Sequence, residues 1–394
     1  MKICFLCNEY PPARHGGIGT ATRTLSRALV DAGHQVRVIG LDCPDTSLRR
    51  VESDRGVEVC RLTTPKSFLG WIRSRHLLYR TVADWAQSGA IDIVETPDYQ
   101  GLVAGWPELG IPIVTRLHGS TSYFAVEMGQ KPPRRSFLLE RAALQRSDFL
   151  CSCSHYTALR TRHLFRLNAQ EITVLYNPVV VGPDITNGPR SRHTVIFSGT
   201  LTAKKGIISL VRAWPSVLER HPEAELHVFG KAGWTDSGAS MEEFLVSNLP
   251  FRARHTVHFH GHVETECLRT ALQSGRLAVF PSYSEAFALA PMEAMAEGCP
   301  TIYSRRASGP ELIQHRQNGL LIDPDNVPEI ADAISDVLQN PPFANAMGEA
   351  GRAHIERAFS VSALLPKNIS FYQDCIRTFR HQNSNRSSAA DRAA

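Results

Sequence analysis

Residues 277–300 read LAVFPSYSEAFALAPMEAMAEGCP, and this stretch decides the fold class. It begins as a short apolar strand that ends at Pro281, continues as a loop of small residues and becomes a helix with Pro291 in its first turn. Glu285 lies in the loop, and Glu293 lies in the helix eight positions later. A helix start offers unpaired N–H groups and a positive dipole end, which suit phosphate, and a carboxylate accepts hydrogen bonds from a diol. Two solvated surface glutamates are the alternative, which the strand–loop–helix context disfavours.

Strands and helices alternate on both sides of this stretch. Short apolar runs predict strands at 2–7, 35–39, 57–62, 91–95, 111–117, 149–153 and 172–176, and again at 194–199, 225–230, 257–261, 277–281 and 301–304. Helical patterns separate many of them, as in residues 20–32. This alternation predicts βαβ units in parallel sheets, whose ligands bind at the carboxyl ends of the strands.

The domain organisation follows from one change of composition. Residues 178–193 are rich in Pro, Gly, Asn and Asp, which is typical of a linker. The sequence therefore predicts an α/β protein with two Rossmann-like, doubly wound domains, 1–177 and 194–358, facing across a cleft. We expect a last helix over 359–381 that crosses back to the N-terminal domain, and a disordered polar tail over 382–394.

Composition excludes several classes of protein. The chain has 394 residues, 43% apolar and 21% charged, which is ordinary for a globular protein of two domains. No apolar run reaches the ~20 residues of a membrane span, and no secretory signal opens the chain, so we expect a cytoplasmic protein. The nine cysteines lack zinc-finger spacing, and we expect buried, reduced thiols.

Charge is distributed unevenly along the chain. Residues 1–195 carry 24 Lys and Arg against 17 Asp and Glu, a net of +7, whereas residues 196–394 carry 19 against 21, a net of −2. A basic N-terminal half can attract a phosphorylated partner or a membrane surface. The basic, partly aromatic segment 71–80 could contact a membrane or a lipid-linked acceptor, or could be an ordinary surface helix. No nucleic-acid-binding motif occurs, so we expect no nucleic-acid partner.

The spacing of Glu285 and Glu293, followed by Ala-Met-Ala-x-Gly-x-Pro, resembles the signature of retaining glycosyltransferases of the GT-B fold, family 4. The resemblance implies transfer of a sugar from a nucleotide-diphosphate sugar to a carbohydrate, lipid-linked or small-molecule acceptor, with no required metal or other cofactor. It also implies that Glu293 holds the ribose and that Glu285 orients the donor sugar. The backbone of Ala286, Phe287 and Ala288 would then bind the diphosphate.

The segment Ser198–Gly206 is a second motif, at the end of a predicted strand. Lys205 matches the lysine with which the family grips the diphosphate. Thr200 stands where the family has an arginine, and a hydroxyl cannot replace the charge of a guanidinium. Lys204 is one candidate to compensate. Because of Thr200, the alternative of a catalytically silent nucleotide-sugar-binding or partner-binding protein stays open.

The glycine-rich segment Arg14–Thr20 is a third motif, after the first predicted strand. One interpretation is a dinucleotide fingerprint with Asp42 as its acidic residue, as in NAD-dependent oxidoreductases, but Thr22 stands where the third glycine belongs. The resemblance implies instead that Gly17, and with less support Gly16, lines the donor diphosphate and the acceptor.

The remaining candidates follow two other predicted strands. His118 lies at the carboxyl end of the strand 111–117, and the resemblance implies that it contacts a hydroxyl of the donor sugar; Arg116 is a secondary candidate for a charged contact. Val263 follows the strand 257–261, in the segment whose backbone the family uses to bind the nucleotide base. Asn177 and Pro178 resemble the family's hinge.

Overall fold

The computed structural model describes residues 1–12, 16–43, 49–63, 70–167, 170–183, 190–235 and 237–393. It forms two compact units, one of Met1–Pro178 together with Val361–Ala394, and the other of Val179–Ser360. The border between the units along the chain falls at the start of the proline- and glycine-rich segment 178–193, of which residues 184–189 lie outside the described part.

In the described residues, the first unit has eight strands and five α-helices before the chain enters the second unit. These are β1 Lys2–Leu6, α1 Gly17–Asp31, β2 Gln35–Cys43, β3 Arg49–Asp54, β4 Val57–Thr63, α2 Gly70–Gln87, β5 Ile93–Pro97, β6 Ile113–Leu117, α3 Thr121–Glu127, α4 Arg134–Arg146, β7 Phe149–Ser152, α5 His155–Phe165 and β8 Ile172–Val174.

The second unit repeats the alternation of strands and helices. It contains β9 Thr194–Ser198, α6 Ile207–Arg220, β10 Glu225–Phe229, α7 Met241–Asn248, α8 Phe251–Arg254, β11 Val257–Gly261, α9 Thr265–Ser274, β12 Leu277–Phe280, α10 Leu289–Ala296, β13 Thr301–Ser304, α11 Gly309–Leu312, β14 Leu320–Ile322, α12 Val327–Gln339 and α13 Pro341–Ala358. The last helix, α14 Val361–Ala393, belongs to the first unit.

Each unit contains one sheet in which the strand order reverses. The first sheet has the order β3-β4-β2-β1-β5-β6-β7-β8 and is parallel except for β3, and the second has the order β11-β10-β9-β12-β13-β14 and is parallel throughout. The order reverses between β1 and β5 and between β9 and β12, as in doubly wound folds. The predicted α/β class with two Rossmann-like domains is confirmed.

Burial explains why these runs form strands. Every residue of β6, β12 and β13 is buried, as expected for central parallel strands covered by helices on both faces. In the second unit Trp214 of α6 is fully buried in the core, and its Nε1–H donates a hydrogen bond to Oγ1 of Thr256 at 2.9 Å. This bond satisfies the one polar atom of the largest core side chain.

Two strands and part of the last helix differ from the sequence prediction. The edge strand β3 and the three-residue strand β14 are too polar or too short to give a clear pattern. Helix α14 runs to Ala393, through most of the segment for which the sequence predicts a polar, disordered tail over 382–394.

The cysteines follow the prediction closely. Eight are described, all are free thiols, and every one except Cys267 on α9 is buried. The exposed Cys267 departs from the expectation, since it lies on the solvent side of an amphipathic helix. Among the described residues, no helix combines the length and the apolar content needed to cross a bilayer.

A buried ion pair holds α14 to the first sheet. Nε and Nη2 of Arg116 on β6 donate to the two carboxylate oxygens of Glu95 on β5 at 2.8 and 2.9 Å, and both residues are at most 5% exposed. Oη of Tyr372 donates to Glu95 at 2.7 Å, and Oδ1 of Asn368 accepts from Arg116 at 2.8 Å. The two α14 residues complete the hydrogen bonding of charges that would otherwise be costly to bury.

We expect the substitution Arg116→Met to destabilise the protein by about 3–5 kcal/mol, because it leaves Glu95 charged and buried without its cation. The free energy of unfolding from a urea titration measures the effect. Arg220→Met is the matched control, since Arg220 makes an exposed pair with Asp332 and its loss should cost less than about 1 kcal/mol. Equal losses in the two variants would contradict the assignment.

Candidate active site

The loops that follow β9 and β12 meet where the strand order of the second sheet reverses. Gly206, after the first loop, has a φ of +71°, and a Cβ atom there would lie 1.7 Å from the carbonyl oxygen of Pro281. Only glycine therefore permits this approach. The N–H of Tyr283 donates to the carbonyl oxygen of Lys204 at 2.8 Å. Two motifs about 80 residues apart in sequence thus become one structural feature at the position where doubly wound sheets bind ligands.

An ion pair joins the two motifs. Nζ of Lys205 lies 2.5 Å from Oε1 of Glu285, whose side chain is 10% exposed, while that of Lys205 is 26% exposed. Burial by itself would raise the pKa of Glu285, but the positive charges of Lys205 and Lys204 outweigh it and hold the pKa below its ordinary value of 4.5. Glu285 is therefore a carboxylate at neutral pH, able only to accept hydrogen bonds.

Glu293 lies in α10, the helix that begins after the second loop. Burial raises its pKa above the ordinary value, and Lys205 opposes this, which places Glu293 within the field of the same ammonium group. Ala286, Phe287 and Ala288 are buried just before the helix. Ala288 occupies the N-cap and carries no oxygen to cap the first turn, so an anionic ligand can take that role.

Three other predicted site residues belong to the second unit. Lys204 is partly buried; burial and the neighbouring charge of Lys205 lower its pKa, although Glu285 opposes them. Thr200 is exposed on the loop after β9. Val263 lies two residues beyond β11, and its contact with a nucleotide base stays a prediction.

In the first unit the glycine motif forms the start of α1. Gly16 is the N-cap, and its N–H donates to Oε2 of Glu9 at 3.1 Å. A Cβ atom at Gly17 would meet nothing within 4 Å, so packing does not require glycine there and the space above it is open. Arg14 and His15 lie outside the described residues, as does the side chain of Asp42.

His118 lies beside a buried carboxyl group that sequence reasoning missed. The N–H of His118 donates to Oδ1 of Asp98 at 2.9 Å. Asp98 is 1% exposed, and burial, aided by the negative charge of Glu140, raises its pKa to about 7. Burial and then Arg116 lower the pKa of His118 to about 3, so its imidazole is neutral at physiological pH. The available signal was the position of Asp98, directly after a strand.

Arg116 is not available to a ligand, which corrects the sequence expectation. Its guanidinium donates to Glu95, Asn368, Tyr372 and the carbonyl oxygen of Leu175, all within the first unit. Its position in the strand, before the carboxyl end, turns it toward α14 rather than to the strand-end loops. The residue that begins the loop is His118.

A cavity of about 450 Å³ lies in the first unit at the carboxyl end of its sheet. Asn8 and Gln100, from the loops that follow β1 and β5, line it together with Arg75, Trp71 and Arg135. The guanidinium of Arg135 lies 4.3 Å from the ring centroid of Trp71, a cation–π contact. The cavity combines cations, amides and an aromatic face, which are the groups that hold a polar organic molecule.

Two family models divide the chain between them. The model for glycosyl transferases group 1 matches residues 184–354, and the model for glycosyltransferase family 4 matches residues 15–181. Each match covers one of the two Rossmann-like domains. The chain belongs to glycosyltransferase family 4, with the GT-B fold.

Known proteins resemble this glycosyltransferase over nearly its full length. A glycogen synthase of Mycobacterium tuberculosis is 26% identical over 91% of both chains. The structure of sucrose-phosphate synthase from Thermosynechococcus elongatus matches with a TM-score of 0.78 at 21% identity, covering 95% of this chain and 99% of the other. Anabaena HepE, solved with UDP and glucose, matches with a TM-score of 0.70 at 17% identity, covering 95% and 100%. At identities of 21% and 17%, these two structures are evidence for the fold alone.

We expect Lys205→Met to raise the pKa of Glu285, because burial then acts without its main opposing charge. In the native protein, the stability that this depressed pKa contributes is present above about pH 4.5 and is lost as the pH falls through the folded-state pKa. In the variant, Glu285 no longer makes this contribution, so this loss of stability at low pH should be absent. Carboxyl-carbon NMR titration measures the pKa. Lys204→Met should raise the pKa of Glu285 by a smaller amount. An unchanged pKa of Glu285 in Lys205→Met would disprove the coupling.

We expect Asp98→Asn to flatten the pH dependence of stability between about pH 4 and 7. In the native protein the raised pKa disfavours the charged form, so stability declines as the pH rises from the ordinary value of 3.8 toward 7. Asparagine keeps an oxygen for the His118 N–H but carries no charge. Urea titrations at several pH values measure the slope, which corresponds to about 1.4 kcal/mol per pH unit for one group.

Asp54→Asn is the control for this slope. Arg27 and Tyr10 hold the pKa of Asp54 below its ordinary value against the opposing effect of burial, so its contribution changes only below about pH 4. A slope that persists in Asp98→Asn, or that disappears in Asp54→Asn, would contradict the role given to Asp98.

Proposed function

We propose that this glycosyltransferase moves a hexosyl group from a nucleotide-diphosphate sugar to an acceptor hydroxyl with retention of anomeric configuration, in the synthesis of a glycan, glycolipid or other glycoconjugate. The observation that carries the proposal is the ion pair of Lys205 and Glu285 at the reversal of strand order, with Glu293 in the following helix. A cation and two acceptors are the groups that a diphosphate and two sugar diols need.

The donor is proposed to lie along the second unit. Lys205, with three N–H donors, can hold Glu285 and a diphosphate oxygen together. Backbone N–H groups at the start of α10 would bind the other diphosphate oxygens, and Glu293 would accept from the ribose hydroxyls. Uridine is the first nucleotide to test, because HepE was solved with UDP and glucose.

The proposed reaction needs only positioning and charge stabilisation. The bond from the anomeric carbon to the diphosphate oxygen breaks, and its electron pair goes to the leaving diphosphate. The acceptor oxygen bonds to the same face of the anomeric carbon, and its proton goes to a diphosphate oxygen. Lys205 stabilises the growing negative charge, and the carboxylate of Glu285 orients the sugar and stabilises its positive charge. A covalent intermediate on Glu285 is the less favoured route.

The first unit is proposed to supply the acceptor side. The imidazole of His118, neutral at physiological pH, is able to exchange a hydrogen bond with a sugar hydroxyl, and the open space at Gly17 would admit the acceptor. The acceptor is a carbohydrate, a lipid-linked molecule or a small molecule. Trp71 and Ile72 of α2 are 41% and 47% exposed, which supports a peripheral membrane contact if the acceptor is lipid-linked.

Thr200 favours a second candidate, a nucleotide-sugar-binding protein without transfer activity. It stands exposed where the family has an arginine, so the site holds one cation fewer from that loop. Release of UDP from UDP-glucose distinguishes the two, because a binder without activity releases none. Thermal-shift screening of nucleotide sugars identifies the donor first, since a ligand of the native state raises the melting temperature.

We expect Lys205→Met to lower kcat by roughly 10²–10³, because the leaving diphosphate loses its main charge stabilisation. Glu293→Gln should mainly raise the donor KM, since its contact with the ribose is the same in the ground state and the transition state. Initial rates of UDP release, with the screened donor and acceptor, measure both. Proton NMR of the first product, starting from an α-linked donor, reports whether its anomeric configuration is α.

Lys131→Met and Glu266→Gln, at exposed positions outside the site, are the matched controls and should retain native kinetics. Native kinetics in Lys205→Met and Glu293→Gln would refute the assigned site. A β-linked first product would refute retention while leaving the site intact.

A further inference from the structure

A cluster of three histidines and a glutamate lies on one face of the second sheet, on β10 and its edge neighbour β11. The parallel register pairs His227 with His258. Side chains two residues apart share a face of a strand, so Glu225 lies on the same side as His227, and His260 on the same side as His258. None of these four residues belongs to the sugar-transfer site proposed above.

The potential metal-ligating atoms of this cluster are close together. Oε2 of Glu225 lies 3.3 Å from Nε2 of His227 and 4.0 Å from Nε2 of His258, and one ligand atom from each of the three lies within 4.8 Å of the others. Ligands at 2.0–2.1 Å from a tetrahedral zinc ion are separated by about 3.3 Å. The three side chains are therefore spaced for a common ion with little adjustment.

One ligand atom has no hydrogen-bond partner among the described residues. Nε2 of His258 is buried and makes no hydrogen bond within the part of the chain that the structure describes. A buried polar atom without a partner is unfavourable unless an ion, a proton acceptor or water satisfies it. Nε2 of His258 faces the carboxylate of Glu225, whose side chain is half exposed, so an ion from solvent can reach it.

His260 holds His227 in place. Nε2 of His260 lies 2.9 Å from Nδ1 of His227, and the two rings stack with centroids 5.1 Å apart. The His260 ring also stacks on Phe229 at 4.4 Å. A metal-binding imidazole usually donates its second N–H to an outer partner, and His260 is in position to accept it.

The cluster is not explained by core packing. Leu226 and Val228, which alternate with the cluster residues along β10, are buried in the core on the opposite face. The side chains of His227 and His258 are 24% and 39% exposed. Packing at the edge of a sheet does not require imidazole side chains. Two imidazoles and a carboxylate are, by contrast, a typical ligand set for zinc.

We propose that Glu225, His227 and His258 bind one zinc ion, with His260 as the outer partner of His227 and water completing the coordination. The ion crosslinks β10 and β11 and acts structurally, not in sugar transfer. The strands continue to the carboxyl edge of the sheet, where the N–H of Gly230 donates to the carbonyl oxygen of Gly261 at 2.7 Å. The site selects against Mg²⁺ and Ca²⁺, which prefer oxygen ligands.

The test uses the untagged full chain after treatment with a chelator. Isothermal titration with Zn²⁺ should give one ion per chain, and Zn²⁺, but not Mg²⁺, should raise the melting temperature. Co²⁺ in place of zinc should show the visible absorption of a tetrahedral site. His260→Ala should lower the affinity for Zn²⁺ by about 10–100-fold, as is typical of the loss of an outer-shell partner. His227→Ala and His258→Ala should each lower it by more.

His255→Ala, at an exposed histidine beside α8, is the matched control and should bind zinc as the native chain does. Circular dichroism and unchanged UDP release confirm that each variant is folded, which separates this inference from the proposed function. Absence of zinc binding by the native chain would overturn the proposal. Undiminished binding by His227→Ala and His258→Ala, or an equal loss in His255→Ala, would overturn it too.

Discussion

The second unit depends on one constraint, the reversal of strand order between β9 and β12. The connections that leave these parallel neighbours run to opposite sides of the sheet, so their loops cannot cover each other and the carboxyl ends stay accessible. A side chain at position 206 would keep the two loops apart, and glycine removes that obstacle. Lys205 and Glu285 then meet at 2.5 Å, and the buried carboxylate keeps its charge because the ammonium group is there.

Three buried charged sites differ in how far their charges are compensated. Arg116 and Glu95 compensate each other fully and are closed to ligands, so they are structural. Lys205 compensates Glu285 but retains donors and some exposure, which leaves it able to bind an anion. Burial disfavours the charged form of Asp98, and its raised pKa is the consequence. The degree of compensation therefore separates structural ion pairs from groups available for chemistry.

The local sequence pattern was sufficient to predict most of the fold and the centre of the candidate site. The strand–loop–helix sequence around Glu285 and the lysine–glycine turn at Lys205 are continuous segments, and the rule that ligands bind at strand ends placed both on one edge. The pattern was insufficient for Arg116, because its partner Tyr372 lies 256 residues away. It was also insufficient for Asp98, whose pKa depends on burial that no single segment reveals.

The sequence by itself determined the fold class, the two parallel-sheet domains and the motifs that mark the family, because periodicity, turn residues and motif spacing are local properties of the chain. Tertiary structure alone decided which charges are paired and which are left for a ligand. It also brought His227 and His258 side by side across β10 and β11. Register and burial arise from packing between distant segments, and these set the distances and the local dielectric on which an ion pair, a pKa shift or a metal site depends.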